Sequence, residues 1–327
     1  MIRHKTILVT GASGFIGGRI TEVLHCGRLG KVRAGLSRWG SAARLGRLPV
    51  EIVQCNLTDP HQVASALQDV DSVIHCAHGG RTVNVDGTRN LLEASLARGL
   101  ERFVHVSTAA VYGNAAGDID EEILPQSTGN EYADTKLEGE RLVAEFQQRG
   151  LPTSILRPGI VYGPFSQDWT VEPAMRLKSG RWLLPERYAS GTCNLIYVDD
   201  LAAMVLLALV RPEAVGQVFN ANGVDRVTWY DYFTRLNDAL GLPSLASGSS
   251  LKASTKAALL SPVRRTAKLM LTHFQEPIMR LYQQSRIAHT AMRRVEELIR
   301  TTSTSDEFDL YSKDQFLVTE KAKRLLG

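Results

Sequence analysis

The stretch Thr6-Ile7-Leu8-Val9-Thr10-Gly11-Ala12-Ser13-Gly14-Phe15-Ile16-Gly17 decides the fold. Its first five residues are β-branched or aliphatic and read as a strand, and the glycines that follow open a helix over Phe15–His25. Gly11 permits a tight turn, Gly14 lets the backbone approach a pyrophosphate, and Gly17 lets the helix pack closely on the strand. An anion then sits on the unpaired N–H groups and positive dipole end of the helix. A glycine triplet alone says little, because glycines punctuate loops everywhere. Its placement after a strand at the start of the chain carries the reading, and makes Gly11, Ser13, Gly14, Phe15, Ile16 and Gly17 the candidate phosphate site.

Outward from this turn, short β-rich runs alternate with helical stretches, the signature of βαβ units winding a parallel sheet. Strands are predicted at Thr6–Thr10, Val32–Ser37, Glu51–Cys55, Ser72–Cys76, Phe103–Ser107, Thr153–Arg157 and Asn194–Val198. Helices are predicted at Phe15–His25, Gln62–Leu67, Val85–Arg98, Glu131–Gln148 and Asp200–Val210. After Gly163, prolines 164, 173 and 185 mark a loop-rich insertion. The expected fold is α/β: a doubly wound parallel-sheet domain over residues 1–163, continued by 191–225. A smaller, mostly helical substrate lobe would come from 164–190 and 226–327.

Composition agrees with a folded soluble chain of one large or two fused domains: 327 residues, 44% hydrophobic and 22% charged, exclude disorder, collagen and small disulfide scaffolds. A net charge of +4 is too small for a nucleic-acid binder. Cys26, Cys55, Cys76 and Cys193 lie far apart without a Cys-x-x-Cys pair, so they read as free thiols in a reducing compartment rather than a zinc site or disulfide framework. Met1–Lys5 runs straight into the first strand and leaves no room for a signal peptide. The longest apolar stretch, Leu201–Val210, is about half of the roughly 20 residues a membrane span needs. A cytoplasmic location is expected.

The second strand ends in Leu36-Ser37-Arg38, a cation where an NAD site offers an acid to the ribose hydroxyls. Arg38 would suit a 2′-phosphate, so NADP is preferred and NAD is the alternative. A second candidate centre is Tyr132-Ala133-Asp134-Thr135-Lys136, a phenol and an ammonium one turn apart on one helix face. A lysine cation lowers the pKa of a nearby tyrosine from about 10 toward neutrality, making the phenol a proton donor or acceptor at a carbonyl. Ser107-Thr108, at the end of a strand, adds a hydroxyl that can hold the reacting oxygen.

With these residues in view, the chain resembles the extended short-chain dehydrogenase/reductase family, of NAD(P)-dependent epimerase/dehydratase type, over essentially its whole length. The resemblance rests on Thr10 to Gly17, Asn84-Val85-Asp86-Gly87-Thr88, Val106 to Gly113, Tyr132 to Lys136, Leu156-Arg157-Pro158-Gly159, Tyr162-Gly163-Pro164 and Val198-Asp199-Asp200, in this order. It implies a Rossmann domain, Tyr132 as general acid/base, Lys136 also holding the nicotinamide ribose, and Thr108 as the hydroxyl partner. It further implies that Asn56 and Leu57 line the adenine, that Ala77 lies beside the cofactor, that Pro158 and Gly159 approach the nicotinamide, and that a homodimer forms through Val85–Arg98 and Glu131–Gln148. Asn56 stands where the family often has Asp; its amide oxygen can still accept from an adenine amino group.

Sugar-nucleotide members usually carry an Asn at the position of Ile160 and an Arg at that of Cys193. Losing both removes groups that would bind a diphosphate, at roughly 1.5–3 kcal/mol each. The Arg-Pro-Gly version looks like the hydroxysteroid dehydrogenase and ketone or aldehyde reductase branches. The expected activity is NAD(P)-dependent reduction of a ketone or aldehyde, or oxidation of a secondary alcohol. The alternatives are a nucleotide-sugar epimerase or dehydratase with retained NAD(P), and a non-catalytic dinucleotide-binding regulator.

Between Leu251 and Arg300, ten lysines and arginines stand against three glutamates, a net +7. An ordinary helical lobe with a basic face, attachment to anionic membrane, and steering of an acidic substrate all accommodate that stretch. His75 and Cys76 are adjacent and point to opposite strand faces, so with His78 they read as lining of the cofactor cleft and not as a metal site. Asp199 and Asp200 read as a helix cap. Trp169, Trp182, Tyr188 and Trp229 suit either an apolar substrate wall or a core. The chain stops at Leu325-Leu326-Gly327, where relatives of the family often continue for a short tail.

Overall fold

The computed structural model describes residues 4–180, 182, 184, 189–245 and 303–327. The strands are β1 Thr6–Thr10, β2 Lys31–Leu36, β3 Glu51–Gln54, β4 Ser72–His75, β5 Arg102–Val106, β6 Gly117–Ile119, β7 Thr153–Pro158, β8 Ile160–Tyr162, β9 Leu195–Tyr197, β10 Gln217–Ala221 and β11 Gln315–Leu317. The helices are α1 Phe15–Cys26, α2 Pro60–Ala66, α3 Thr88–Ala97, α4 Glu131–Gln148, α5 Glu172–Lys178, α6 Val198–Val210, α7 Trp229–Ala239, α8 Ser305–Ser312 and α9 Glu320–Leu326.

Seven parallel strands form one sheet in the order β10-β7-β5-β4-β1-β2-β3. The chain leaves β1 for β2 and β3 on one side, then crosses back to β4 on the other. That reversal between β1 and β4 is the switch point outside whose strand ends ligands bind in such sheets. Alternation along the strands divides the core between the two faces. Ile7 and Val9 pack with Ile20 and Leu24 of α1 and with Leu201 and Val205 of α6. Leu8 faces the other way, with Val73, Leu91, Phe103, Leu142 and Phe146. Both faces are covered, so the strands read as continuous apolar runs; each such side chain stabilises by roughly 1.5–3 kcal/mol.

The chain divides into two compact units: Met1–Gly163 with Asn194–Asp225 and Phe316–Gly327, and Pro164–Cys193 with Arg226–Gln315. Residues 316–327 differ from the sequence expectation, which put them in the smaller lobe. Ala322 and Leu326 of α9 are buried in the same core as α6, and Val318 N–H donates to Ile119 O at 2.9 Å. In the second unit, Trp182, Trp229, Phe233 and Tyr311 pack ring against ring. Trp229 is fully buried, so core packing accounts for it. The Arg176–Glu307 pair at 2.6 Å ties α5 to α8.

Two elements depart from expectation. The seventh strand of the sheet is β10, whose short Gln-Val-Phe-Asn-Ala run carries little β signal. The strand expected at Asn194–Val198 is β9, which pairs with β8 outside the main sheet. Asp199 is no cap: α6 begins at Val198 without a side-chain cap, and Asp199 instead pairs with Arg19 of α1 at 2.5 Å. Tyr188 and the basic 251–300 stretch lie outside the described residues.

Candidate active site

Three glycines shape the end of β1. Gly11 has φ of +66°, and a Cβ there would stand 2.8 Å from the Ala77 backbone and from Cys76 O. A Cβ on Gly17 would stand 2.4 Å from Gly11 O. With Gly14 as N-cap, α1 begins with no side-chain cap and no acidic residue in its first turn. Its leading N–H groups keep their capacity for an external anion. These residues fit a dinucleotide pyrophosphate, with Ser13, Phe15 and Ile16 on the same turn and Ala77 against it. Arg44, which the sequence did not single out, donates to Gly14 O at 2.9 Å and sets a second cation beside the turn. Arg38 is exposed just after β2, and its carbonyl accepts from Ser41.

Asn56 and Leu57, which the resemblance assigns to the adenine, sit less simply. Asn56 Oδ1 already accepts from the Thr58 hydroxyl at 3.0 Å, and its own N–H donates to Gln62. Leu57 turns into the core, its Cβ facing Gly87 and its carbonyl accepting from Asn90. Pro158 ends β7, and Gly159 N–H donates to Ala221 O at 3.0 Å. A Cβ on Gly159 would collide with Asn194 O at 2.4 Å, so only glycine fits there.

Helix α4 carries the candidate pair Tyr132 and Lys136. Asn130 caps its start by accepting from Ala133 N–H at 3.2 Å, and the Asp134 carboxylate accepts from Thr128 and Gly129 N–H. One turn apart, Tyr132 and Lys136 sit in opposite environments: Tyr132 is 42% exposed, Lys136 only 5%. Lys136 Nζ donates to Val106 O at 2.9 Å, at the end of β5. Burial draws its pKa down to about 8. Beneath it, His75 bonds Thr10 at 2.7 Å and Thr88 at 3.0 Å, and burial aided by Lys136 pushes its imidazole down to about 3. Burial lowers His105 in the same way. His75 is therefore a neutral core group and does not line the cleft as expected. Burial raises the Cys76 thiol to about 12. No group of three or more candidate metal ligands occurs among the described residues.

Four residues on from Lys136, Glu140 binds Arg157 of β7 in a fully buried pair, Nη2 to Oε2 at 2.7 Å. Arg157 Nη1 donates to Tyr112 Oη at 2.9 Å, and Tyr112 donates to Asn220 at 2.7 Å. Burial works against the Arg157 charge, and the Glu140 hydrogen bond raises its pKa nonetheless. Burial pushes the Tyr112 phenol up to about 12. This buried polar chain locks α4 to β7 and β10. The sequence shows Tyr112 and Arg157 within the motifs quoted above, but not that they meet Glu140 and Asn220. Thr108 follows β5, buried, its Oγ1 accepting from Ala110 N–H at 3.2 Å. Ser107 Oγ is buried with no hydrogen-bond partner among the described residues.

A glycine cradle at the switch point and a Tyr-x-x-x-Lys helix define a dinucleotide-dependent protein of the extended short-chain dehydrogenase/reductase type. The chain belongs to the NAD dependent epimerase/dehydratase family, whose sequence model matches residues 7–221. It is similar to the 2-alkyl-3-oxoalkanoate reductase of Shewanella oneidensis, 30% identical over 83% of this chain and 74% of that one. It is equally similar to the dTDP-glucose 4,6-dehydratase of Streptomyces antibioticus, 30% identical over 72% and 77%. Among solved structures, UDP-glucuronic acid 4-epimerase of Bacillus cereus, in complex with UDP-glucuronic acid and NAD, matches with a TM-score of 0.65. That chain is 26% identical, over 73% of this chain and 84% of its own. No helix among the described residues is long and apolar enough to cross a membrane.

Proposed function

We propose that the protein is an NADP-linked oxidoreductase that reduces a ketone or aldehyde, or oxidises the corresponding secondary alcohol. The observation that carries this reading is the contrast on α4: a tyrosine nearly half exposed and, one turn behind it, a buried ammonium pinned on the Val106 carbonyl. When bound, the dinucleotide supplies the hydride. Tyr132 donates the proton to the carbonyl oxygen, the Lys136 charge favours the phenolate left behind, and the Thr108 hydroxyl holds the oxygen in line. Gly11, Gly14 and Gly17 admit the pyrophosphate, and Pro158 and Gly159 flank the nicotinamide. Asn56 and Leu57 border the adenine through the backbone around them. Arg38 binds the 2′-phosphate that selects NADP.

The substrate is less polar than a sugar nucleotide, because Ile160 and Cys193 offer neither amide nor cation for a diphosphate. Thr108 is followed by Ala109 and Ala110, so this strand end supplies a hydroxyl and no carboxylate for expelling water. A homodimer built on α3 and α4 and a cytoplasmic location complete the reading; gel filtration tests the first. The activity test is NADPH consumption with a panel of ketones and aldehydes. The reading expects turnover there and none with sugar nucleotides in the absence of added cofactor. The reverse result would assign an epimerase or dehydratase, as the Bacillus cereus likeness would favour; cofactor binding with no turnover at all would assign a regulator. For the cofactor, Arg38→Ala is expected to raise KM for NADPH by about 10–100-fold, the worth of one charge-assisted contact, and to spare NADH. Equal effects on both would refute the NADP preference.

A further inference from the structure

We infer that His78 is a positioning residue for the Tyr132 phenol, an inference that rests on the proton-transfer role proposed for Tyr132. The two rings meet edge to face, their centroids 5.2 Å apart and their planes at 90°. That is the favoured geometry for an aromatic pair, and it resists rotation of either ring. Tyr132 stands in the first turn of α4 and is nearly half exposed.

The placement of His78 is itself built. It lies in the loop after β4, and the next residue, Gly79, donates its N–H to Asn84 Oδ1 at 3.0 Å. Asn84, only 4% exposed, donates through Nδ2 to Thr135 Oγ1 at 3.0 Å. Thr135 in turn donates to the carbonyls of Glu131 and Tyr132. One buried amide therefore joins the loop of His78 to the turn of Tyr132. Arg81 adds a second tie, to Glu138 of α4 at 2.7 Å. A loop fastened twice to the helix that bears the phenol holds the imidazole at a set distance from it. Orientation matters in kind: a donor displaced by about 1 Å can cost 10²-fold in rate.

The test compares His78→Ala with His78→Phe, which keeps an aromatic ring. In steady-state kinetics with NADPH and an active carbonyl compound, His78→Ala is expected to lower kcat by about tenfold or more. NADPH affinity and thermal midpoint should be unchanged, and His78→Phe should restore kcat to within a few-fold of the parent. An unchanged kcat in His78→Ala, or a His78→Phe variant as slow as His78→Ala, would overturn the inference. A second arm needs no turnover. The ring resonance of Tyr132, assigned by its loss in Tyr132→Phe, should shift and broaden in His78→Ala and stay sharp in His78→Phe. An unmoved resonance would refute the contact. A moved resonance in a protein that turns over no carbonyl or alcohol would leave the ring restraint standing and refute the oxidoreductase reading instead.

Discussion

The turn after β1 and the first turns of α4, the two halves of the proposed cofactor site, are made in opposite ways. The turn is made by leaving atoms out: Gly11 and Gly17 hold space into which a Cβ would collide with backbone, and α1 starts without a side-chain cap. The α4 site is made by side chains that find distant partners: Lys136 the carbonyl of Val106, Glu140 the guanidinium of Arg157, Tyr132 the ring of His78. The first should fail when atoms are added, the second when atoms are removed.

Removal should have the larger effect on stability. Glu140→Ala leaves the Arg157 charge buried without its carboxylate, a loss of about 3–5 kcal/mol for breaking a buried pair. Urea unfolding would measure it; a loss under about 1 kcal/mol would mean that α4 is not held by this pair. Addition at the turn comes next. Gly17→Ala forces a methyl against Gly11 O, an overpacking cost of about 1–3 kcal/mol. Cofactor affinity should fall with it by about 10–100-fold in a fluorescence titration. Unchanged affinity would separate the cradle from binding.

The smallest effect concerns the neutral histidines under Lys136. Burial holds His75 and His105 below the ordinary value of 6.5 in the folded chain, so between 6.5 and the folded value the unfolded chain binds more protons. Stability should therefore be insensitive to these groups above pH 6.5 and decline as pH falls toward about 3, the value to which His75 is pushed. Each histidine contributes at most about 1.4 kcal/mol per pH unit. His105→Asn should make the decline shallower over that range in unfolding titrations; an unchanged slope would mean that His105 is protonated in the folded state.

The same contrast explains what could be read in advance. The β1 turn lies within a dozen residues, and each glycine answers a local requirement, so the sequence shows it directly. Strands β1, β2, β4 and β5 are largely buried and read as β-rich runs; β10 does not, because Asn220 within it serves the polar chain through Tyr112 and the Ile119 carbonyl. The spacing of Tyr132 and Lys136 is visible on the helix, but not their opposite exposure, which depends on β5 lying beside α4. His75 reads from the sequence as a cleft residue, whereas its ring is tied to Thr10 and Thr88, partners 65 and 13 residues away. Asp199 likewise serves Arg19, 180 residues distant, and does not cap the helix in whose first turn it lies. Local conformational demands are written locally, whereas the partner of a buried polar group is set by topology.

The central claim is that the Tyr132 oxygen moves the proton in a hydride transfer for which the β1 turn separately holds the dinucleotide. Tyr132→Phe tests it most directly, assayed for carbonyl reduction and for NADPH binding on the same preparation. The account predicts a loss of turnover of about 10²–10⁴-fold or more with NADPH affinity unchanged. Turnover near that of the parent protein would contradict it.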